Sequence, residues 1–551
     1  IEWDIFSGLK VGGDFGYSKQ SDRGDRFLPK SHSDFLQVLD EDTKGSYEWN
    51  YGEASSYQFG ATISYGNTFG RHSVYAGVNW SMQENKKNQY TILLRGFPND
   101  NLNDISNANK YGTERPRSTE TTRRQIGIVA TGNYNFDSRY FVDFSYRTDG
   151  ASSFGSNKRF APFWSAGIGW TVSQEKFIQD HLPQIELFRL RYSYGVTSSM
   201  DFKPYQSLTT YEYDWTSRYR GSIGATMRGI GNDDLRWQNT YQHNLGVDIS
   251  LFNGLVGITG NYYHKKTTNQ ISKLGLTYSH GFEGYMENSG TMRNVGLDWE
   301  LSVYLLRNKN ISWSARAAFS HNKNTIVKLS EEMKRQNEKT INNQTGAFIY
   351  LQYREGESMD AIYTFISPGV DPATGKVLYM DNKGNVSDDY DMYSKVHCGN
   401  EIPKINSRLS TAFRYKTLSV NMNFELRLGG QKFNQTLLNK VENADVRFNV
   451  DRRVSTQRWE KPGDVTRYKG LNNDTNTPAN SRFVADESTF ILRNVSVQYD
   501  FPRRISKFFG MERLSLAGNL NDLFYLSTIE QERGTSYPFS VRPSFSLSCT
   551  F

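Results

Sequence analysis

The residues of this chain that could carry chemistry are few and scattered. The 551-residue sequence contains eight histidines, and none stands beside Glu or Cys at the spacing of a metal site. It contains no Gly-x-Ser-x-Gly nucleophile motif and no phosphate-binding loop. The sequence therefore predicts no catalytic residues, no cofactor and no enzymatic activity.

One acidic segment comes nearest to a metal site. It begins Asp381-Asn-Lys-Gly-Asn, and three further aspartates follow within a few residues. A calcium loop needs oxygen ligands at alternate positions and an acidic residue at the twelfth, but Lys383 and Met392 occupy two of those positions. We therefore predict a solvated β-turn here and no metal site.

Aromatic side chains crowd one polar segment of the chain. Flat aromatic faces stack on sugar rings and on peptide side chains, so this segment is the candidate substrate-binding site. Tyr and Trp also collect at membrane interfaces, and that alternative stays open for each residue. The candidates are Tyr205, Tyr211, Tyr213, Trp215 and Tyr219.

Charge and cysteine content exclude two classes of protein. The net charge of +7 is modest for this length, and no cluster of Lys and Arg forms the basic stripe of a nucleic-acid-binding protein. Cys398 and Cys549 lie far apart in the sequence, so a disulfide framework is not expected.

The elements that must position these residues are β-strands. From Ser540 to Phe551 polar and apolar residues alternate without exception, which predicts a strand with one apolar and one wet face. A terminal aromatic residue is typical of the closing strand of a bacterial outer-membrane β-barrel. No stretch approaches the roughly 18 consecutive apolar residues of a membrane helix. The apolar positions of this strand are Val541, Pro543, Phe545, Leu547, Cys549 and Phe551.

The same alternation recurs along the chain and predicts about sixteen strands. Asn253-Gly254 predicts a two-residue type I′ turn between two of them. Short turns alternate with long polar inserts, which is the asymmetry between the periplasmic and extracellular ends of an outer-membrane barrel. The short turns lie near 67–71, 136–139, 252–255, 306–310 and 415–418, and the inserts near 18–56, 83–122, 197–237, 323–404 and 431–487.

We therefore predict an all-β fold, a transmembrane antiparallel β-barrel with long extracellular loops over residues 1–551. The hydrophobic content of 37% and the aromatic content of 14% suit a wall that is apolar on one face only. If the last strand runs inward, counting back places the start of the first strand, near Trp3, at the periplasmic end. The chain is thus expected to open in mid-barrel, with its natural start upstream of Ile1.

Several motifs resemble those of SusC/RagA-type TonB-dependent transporters. Residues 146–155 read Y-R-T-D-G-A-S-S-F-G, similar to the family's R-x-D-G-S-S-x-F-G stretch, and Gly169-Trp170 follows. Residues 231–237 read G-N-D-D-L-R-W, similar to the family's G-N-P-x-L-K-W, with Asp233 in place of Pro. Residues 263–267 resemble the family's Y-x-K-K-T. The resemblance extends over nearly the whole chain.

The resemblance implies a 22-stranded barrel with a plug domain, of which this chain holds the C-terminal part, about sixteen strands, without the plug. It implies an active importer of the outer membrane that takes up oligosaccharides or oligopeptides. A SusD-like surface lipoprotein would cover the extracellular mouth, and the TonB–ExbB–ExbD complex would supply energy through the N-terminal part. Two transporter–lid pairs would form a dimer in the outer-membrane lipid.

Three alternatives remain open from the sequence. A passive porin also fits sixteen strands, and a surface-adhesion or structural barrel also fits the large inserts. A siderophore transporter of the broader superfamily is the third, although it would lack the stretch at residues 147–155. Charges alternating with the apolar positions are expected to brace the lumen wall rather than to bind cargo. These charged residues include Asp143, Arg147, Asp248, Asp298 and Glu300.

Overall fold

The structure is a computed structural model that describes residues 1–112, 115–199, 204–275, 284–342, 352–473, 475–530 and 541–551. Within these ranges, eighteen strands join in one antiparallel sheet and pair in chain order, except that the two-residue strand Lys110–Tyr111 pairs only with the strand before it. They are β1 (Glu2–Phe6), β2 (Leu9–Leu28), β3 (Ser46–Phe69), β4 (His72–Arg95), β5 (Lys110–Tyr111), β6 (Arg117–Phe136), β7 (Tyr140–Ala151), β8 (Phe160–Thr171), β9 (Ile185–Ser199), β12 (Gln238–Leu251), β13 (Val256–Thr268), β16 (Thr291–Arg307), β17 (Ile311–Lys328), β22 (Ile405–Tyr415), β23 (Leu418–Phe433), β24 (Val484–Asp500), β25 (Arg513–Ser527) and β26 (Pro543–Thr550).

The remaining strands lie in the inserts and form small sheets of their own. Two hairpins are β10 (Thr210–Tyr219) with β11 (Ser222–Gly229), and β14 (Ile271–Gly275) with β15 (Gly284–Asn288). A four-stranded sheet comprises β18 (Ala361–Val370), β19 (Val377–Met380), β20 (Val386–Ser387) and β21 (Lys395–Asn400). The helices are α1 (Lys176–His181), α2 (Glu331–Asn342), α3 (Arg503–Phe508) and a π-helix, Leu437–Glu442. Within the described ranges, every helix is too short or too polar to span a bilayer.

The three predicted hairpins are confirmed, as β12–β13, β16–β17 and β22–β23. The predicted turn at Asn253-Gly254 is confirmed. Leu251 pairs with Val256 across a four-residue connection, in which Phe252, Asn253 and Gly254 have φ of 57°, 57° and 71°. The Leu255 amide donates to the Phe252 carbonyl at 3.3 Å, which closes a turn with Asn253 and Gly254 as its two central residues.

The connections of the large sheet alternate strictly between its two ends. Tight connections at one end, the short-turn end, include residues 70–71, 137–139, 252–255, 308–310 and 416–417. At the other end, the long-loop end, the connections include 29–45, 96–116, 200–237, 269–290, 329–404 and 434–483. Several inserts are shorter than predicted because β2, β3, β4 and β6 continue into them. Stretches that are polar on both faces, such as 52–56 of β3 and 83–89 of β4, interrupt the period-2 apolar signal of these strands.

Among the residues that the structure describes, the sheet holds eighteen strands, where the sequence predicted about sixteen. Two of the eighteen are short, β1 with five residues and β5 with two. Trp3 lies in β1, which turns at Ser7-Gly8 into β2, so the strand near Trp3 runs toward the short-turn end. The prediction that this strand starts there is wrong, because Gly8 adopts a φ of 91° and splits an apparently continuous strand.

The buried apolar side chains lie mainly at the long-loop end, in three clusters. The first lies in the 434–483 insert, the second where residues 151–163 meet Trp237, and the third in the four-stranded sheet. Cys398 and Cys549 are both free. The inserts thus fold around cores of their own, while the wall is held by its strand ladder.

Candidate functional site

Large apolar side chains lie exposed along one face of the sheet. In a row that crosses four strands, Tyr192 lies opposite Leu245, then Tyr262, then Leu297. These side chains are between 39% and 53% exposed. Monomers in water rarely expose a contiguous apolar surface of such extent. This outer face is therefore the one suited to membrane lipid.

The alternate residues of the same strands form a polar inner face. Arg191 donates to both carboxylate oxygens of Asp248, at 2.7 and 3.0 Å, and to Asn261 Oδ1 at 3.4 Å. Its guanidinium lies over Gly246, where an added Cβ would be 2.9 Å from the guanidinium carbon. A side chain at this position would therefore have to displace the guanidinium from this three-strand contact.

Other inner-face charges contact neighbouring wall residues. Arg147 Nε lies 2.5 Å from Asp149 Oδ2, and Arg316 Nε lies 3.1 Å from Glu300 Oε1. Asp143 accepts a hydrogen bond from Asn133. The Glu300 and Asp143 contacts join neighbouring strands, whereas Arg147 and Asp149 both belong to β7.

Two motifs that carry the family resemblance meet at the long-loop end. The rings of Phe154 and Trp237 stack with centroids 4.2 Å apart. The Gly155 amide donates to the Leu235 carbonyl at 3.1 Å, and a Cβ on Gly155 would lie 2.1 Å from the Asp233 carbonyl oxygen. These contacts therefore hold two connections at the long-loop end together. Asp233, which stands where the family has Pro, accepts a hydrogen bond from the Ser156 hydroxyl at 2.8 Å.

The four-stranded sheet of the 329–404 insert packs around aromatic rings. Phe365 and Tyr379 meet edge to face, and Tyr390 contacts both rings. Burial raises the pKa of the Tyr379 phenol above its ordinary value. This insert is thus a folded unit rather than a flexible polar loop.

The 434–483 insert is built around a buried carboxylate. Glu442 is 1% exposed and accepts hydrogen bonds from Arg482 at 2.8 Å and from Thr477 Oγ1 at 3.1 Å. Arg458, also buried, donates to the carbonyls of Val441, Val454 and Lys469. Since buried charges need partners, this network fixes the shape of the insert.

A cavity of about 680 Å³ opens where this insert meets the ends of β23 and β25. Its lining carries four cations and the carboxylate of Glu530. Arg453 is paired with Asp451 at 2.8 Å, and Arg482 is held by Glu442. Sequence inspection missed this site because its residues come from distant segments between Lys432 and Glu530. The four cations are Lys432, Arg453, Arg467 and Arg482.

Tyr205, the first predicted substrate-binding residue, has a structural contact. Its hydroxyl accepts a hydrogen bond from the Thr122 amide at 2.7 Å, beyond the point where β7 stops pairing with β6. It adopts a φ of 69°, in the left-handed region. Tyr205 thus caps an exposed strand edge.

Tyr211 and Tyr213 lie on one face of the β10–β11 hairpin, separated by one residue. They are 65% and 67% exposed, and their cross-strand partners are Met227 and Ala225. Trp215 and Tyr219 belong to the same strand, but their side chains lie outside the described part of the structure. The hairpin thus presents an aromatic surface at the long-loop end, apart from Tyr205.

The acidic segment at Asp381 forms the tight turn between β19 and β20. The Asp381 carboxylate accepts hydrogen bonds from the amides of Lys383 and Asn385, both at 2.8 Å, and from the Asn385 side chain. These bonds hold the pKa of Asp381 below its usual range. Among the described residues, no three His, Cys, Asp or Glu side chains are grouped for metal binding.

Comparison with known proteins identifies relatives along most of this chain. A family model described as TonB dependent receptor-like, beta-barrel, matches residues 1–523. TonB-dependent receptor P3 of Formosa agariphila is 24% identical over 93% of this chain and 52% of its own length. TonB-dependent receptor SusC of Bacteroides thetaiotaomicron is 24% identical over 52% of this chain and 29% of its own length.

The fold resembles that of solved transporters. The structure of the RagAB peptide transporter superposes with a TM-score of 0.82 at 21% identity, covering 96% of this chain and 57% of that one. This chain spans about half the length of the curated relatives it matches along most of its length.

Proposed function

Because the chain belongs to the family of TonB-dependent receptor-like β-barrels, we propose that it imports oligomeric nutrients, glycans or peptides, across the outer membrane in which it resides. The proposal includes a SusD-like lipoprotein lid at the long-loop end and energy delivered through TonB. TonB itself would act through a segment outside these residues. A dimer of transporter–lid pairs is part of the same proposal.

The position of the large inserts supports the proposal independently of family membership. All the large inserts stand at one end of the sheet, and two of them fold around their own cores. A folded rim offers a defined docking surface for a lid, whereas flexible loops would have to be ordered at an entropic cost. This arrangement supports an importer with a closing partner rather than an open pore.

The long-loop end also offers two contacts suited to oligomeric cargo. The exposed rings of Tyr211 and Tyr213 could stack on sugars or on peptide side chains. In the 680 Å³ cavity, Arg467 is exposed and could bind a carboxylate of either cargo. RagAB is a peptide transporter, and both glycan and peptide remain proposed here.

The first test is uptake by cells that express the full-length protein. We expect deletion of the gene to abolish growth on one class of oligosaccharide or oligopeptide, and collapse of the proton gradient to stop uptake. Purification in mild detergent should recover a SusD-like lipoprotein. Uptake that survives loss of the gradient would favour a passive porin, and unchanged growth after deletion would favour an adhesive or structural barrel.

The cargo contacts have a sharper test. The double variant Tyr211→Ser/Tyr213→Ser should raise the cargo Kd by about tenfold, since each aromatic contact contributes roughly 0.5–1.5 kcal/mol. Tyr393→Ser is the matched control, because Tyr393 is 73% exposed on a different insert. Equal affinities in both variants would remove the hairpin from the cargo site.

A further inference from the structure

The outer face changes from apolar to charged at a constant height along the wall. On β4 the outward positions of this band run from Val74 to Glu84, and on β6 they run from Tyr134 to Arg124. Val74 lies directly opposite Tyr134, and Glu84 lies directly opposite Arg124. Ten residues of strand rise about 33 Å, or about 25 Å along the membrane normal at a 40° tilt. This is the height of the lipid-facing band of such barrels.

The charges at this boundary on β2 to β6 are compensated by neighbours. Arg124 Nε lies 2.6 Å from Glu84 Oε2. Lys19 pairs with Glu53 at 2.6 Å. Lys19 and Lys86 both lie opposite Ser55, one row farther from the band, and Lys86 pairs with Glu120 at 2.7 Å. Opposite charges on adjacent strands stabilise a sheet, so this part of the boundary needs no external ion.

Three neighbouring strands break this pattern. The outward residues of β13, β16 and β17 at the same height are all cations. They lie ten residues along the strand from Val256, Val303 and Trp313, which stand near the short-turn end. We call them the cation triad, and they are Lys266, Arg293 and Lys323.

The register brings the triad together. Lys266 lies directly opposite Arg293, and Lys323 lies diagonal to Arg293, one pair closer to the short-turn end. Side chains directly opposite have Cβ atoms about 5 Å apart, and like charges so placed destabilise a sheet. All three side chains are exposed, and within the described ranges none makes an ion pair or a side-chain hydrogen bond.

One row below the triad lie His264, Val295 and His321, and the outer face beneath that row is aromatic and apolar. Tyr262 lies opposite Leu297, and Trp299 lies opposite Phe319 one row further down. All four are between 39% and 45% exposed. A molecule that fits this surface has an anionic head at the boundary and hydrocarbon chains below it.

We propose that the cation triad binds a phosphate group of lipid A in the outer leaflet, with the acyl chains against Tyr262, Leu297 and Trp299. The longer loops of an outer-membrane barrel are extracellular, so the triad lies at the outer-leaflet boundary of the lipid-facing band. A phosphate accepts charge-assisted hydrogen bonds from Lys and Arg together and removes the repulsion among them. The site is independent of the cargo and of the proposed import.

The test measures binding of lipid A to the full-length protein purified in detergent. The triple variant Lys266→Gln/Arg293→Gln/Lys323→Gln should bind lipid A on the order of 100-fold more weakly, from a contribution of about 1 kcal/mol per cation. The matched control is Lys19→Gln/Lys86→Gln/Arg124→Gln, which removes the same charge from compensated positions and should bind like the unchanged protein.

Two ligand controls complete the test. Lipid A without its phosphates should bind the unchanged protein as weakly as lipid A binds the triple variant. Equal losses in the triple variant and its control would overturn the proposal, as would phosphatidylglycerol binding as tightly as lipid A. If the triple variant does not fold, Arg293→Gln alone should weaken binding by about fivefold, and no change there would equally overturn the site.

Discussion

The wall and the 434–483 insert are stabilised in opposite ways. Leu438, in the insert, is completely buried, whereas Leu245, in the wall, is 53% exposed on the outer face. Glu442 is buried with its arginine partner, whereas Glu300 and Arg316 are 46% and 64% exposed on the inner face. The insert resembles the interior of a water-soluble domain, and the wall depends on its strand ladder and on the lipid around it.

The same residue type therefore contributes differently to the free energy of unfolding in the insert and in the wall. In the insert, removing a side chain leaves a cavity or an unpaired charge in a packed interior. On the wall, lipid or water takes the place of the lost group. Substitutions of matched chemistry should therefore separate the two regions.

The largest effect is expected from Glu442→Leu. It leaves the buried Arg482 without its carboxylate, which costs roughly 3–5 kcal/mol when one partner of a buried pair is lost. Hydrogen exchange read by mass spectrometry should show faster exchange throughout 434–483 with the wall strands unchanged. Glu300→Gln is the wall counterpart and should cost less than about 1 kcal/mol. Similar exchange in the two variants would contradict the comparison.

Leu438→Ala should destabilise the insert by about 3–4 kcal/mol, because a core leucine leaves a cavity as well as losing its transfer free energy. Leu245→Ala should cost only about 1–2 kcal/mol, since lipid chains fill the space. Both variants are unfolded with denaturant in lipid vesicles. Protease sensitivity reports unfolding of the insert, and heat-modifiable gel mobility reports unfolding of the wall. A larger loss for Leu245→Ala would show that the wall has a hidden core.

A smaller effect on the wall itself is expected from Gly246→Val. The new side chain displaces the Arg191 guanidinium from Asp248, at a cost of about 1–2 kcal/mol. Gly132→Val is the control, because a Cβ there meets nothing within 4 Å. The thermal unfolding midpoint in detergent should fall for the first variant and stay unchanged for the second.

The smallest effect concerns pH. Hydrogen bonds from Arg447 lower the pKa of Asp445 from 3.8 to about 2. Because the folded-state pKa is depressed, the contribution of this contact is complete above about pH 4 and is lost as the pH falls toward 2. Pepsin digestion of the 434–483 insert should accelerate across that window. Asp445→Asn should weaken this dependence, and an unchanged profile would exclude Asp445 as its source.

Much of the wall could be predicted from the sequence because its strands alternate between lipid and water. The hairpins at 252–255, 306–310 and 415–418 follow from that alternation and are present. The full length of β3 and β4 could not be predicted, because the stretches 52–56 and 83–89 are polar on both faces and interrupt the apolar period. The split at Gly8 depends on one backbone angle, which no pattern of side-chain types specifies.

The candidate site was less accessible to sequence reasoning. Clustering in the sequence grouped Tyr205 with Tyr211 and Tyr213, yet the first caps a strand edge and the other two lie on a hairpin face. The arginine-lined cavity and the cation triad arise from residues that are distant in sequence. Register and insert folding bring them together, and neither is visible in a single segment.

The length of β3 and β4 has a consequence at the cell surface. Each has 24 residues, about 80 Å of strand, or about 60 Å along the membrane normal. Only about 25 Å of that is needed to cross the lipid. The remainder is a stiff ribbon that carries its tip roughly 35 Å above the hydrocarbon layer, into the zone of surface sugars. An antibody or phage that recognises the 29–45 or 96–116 connection should therefore reach its epitope on intact cells.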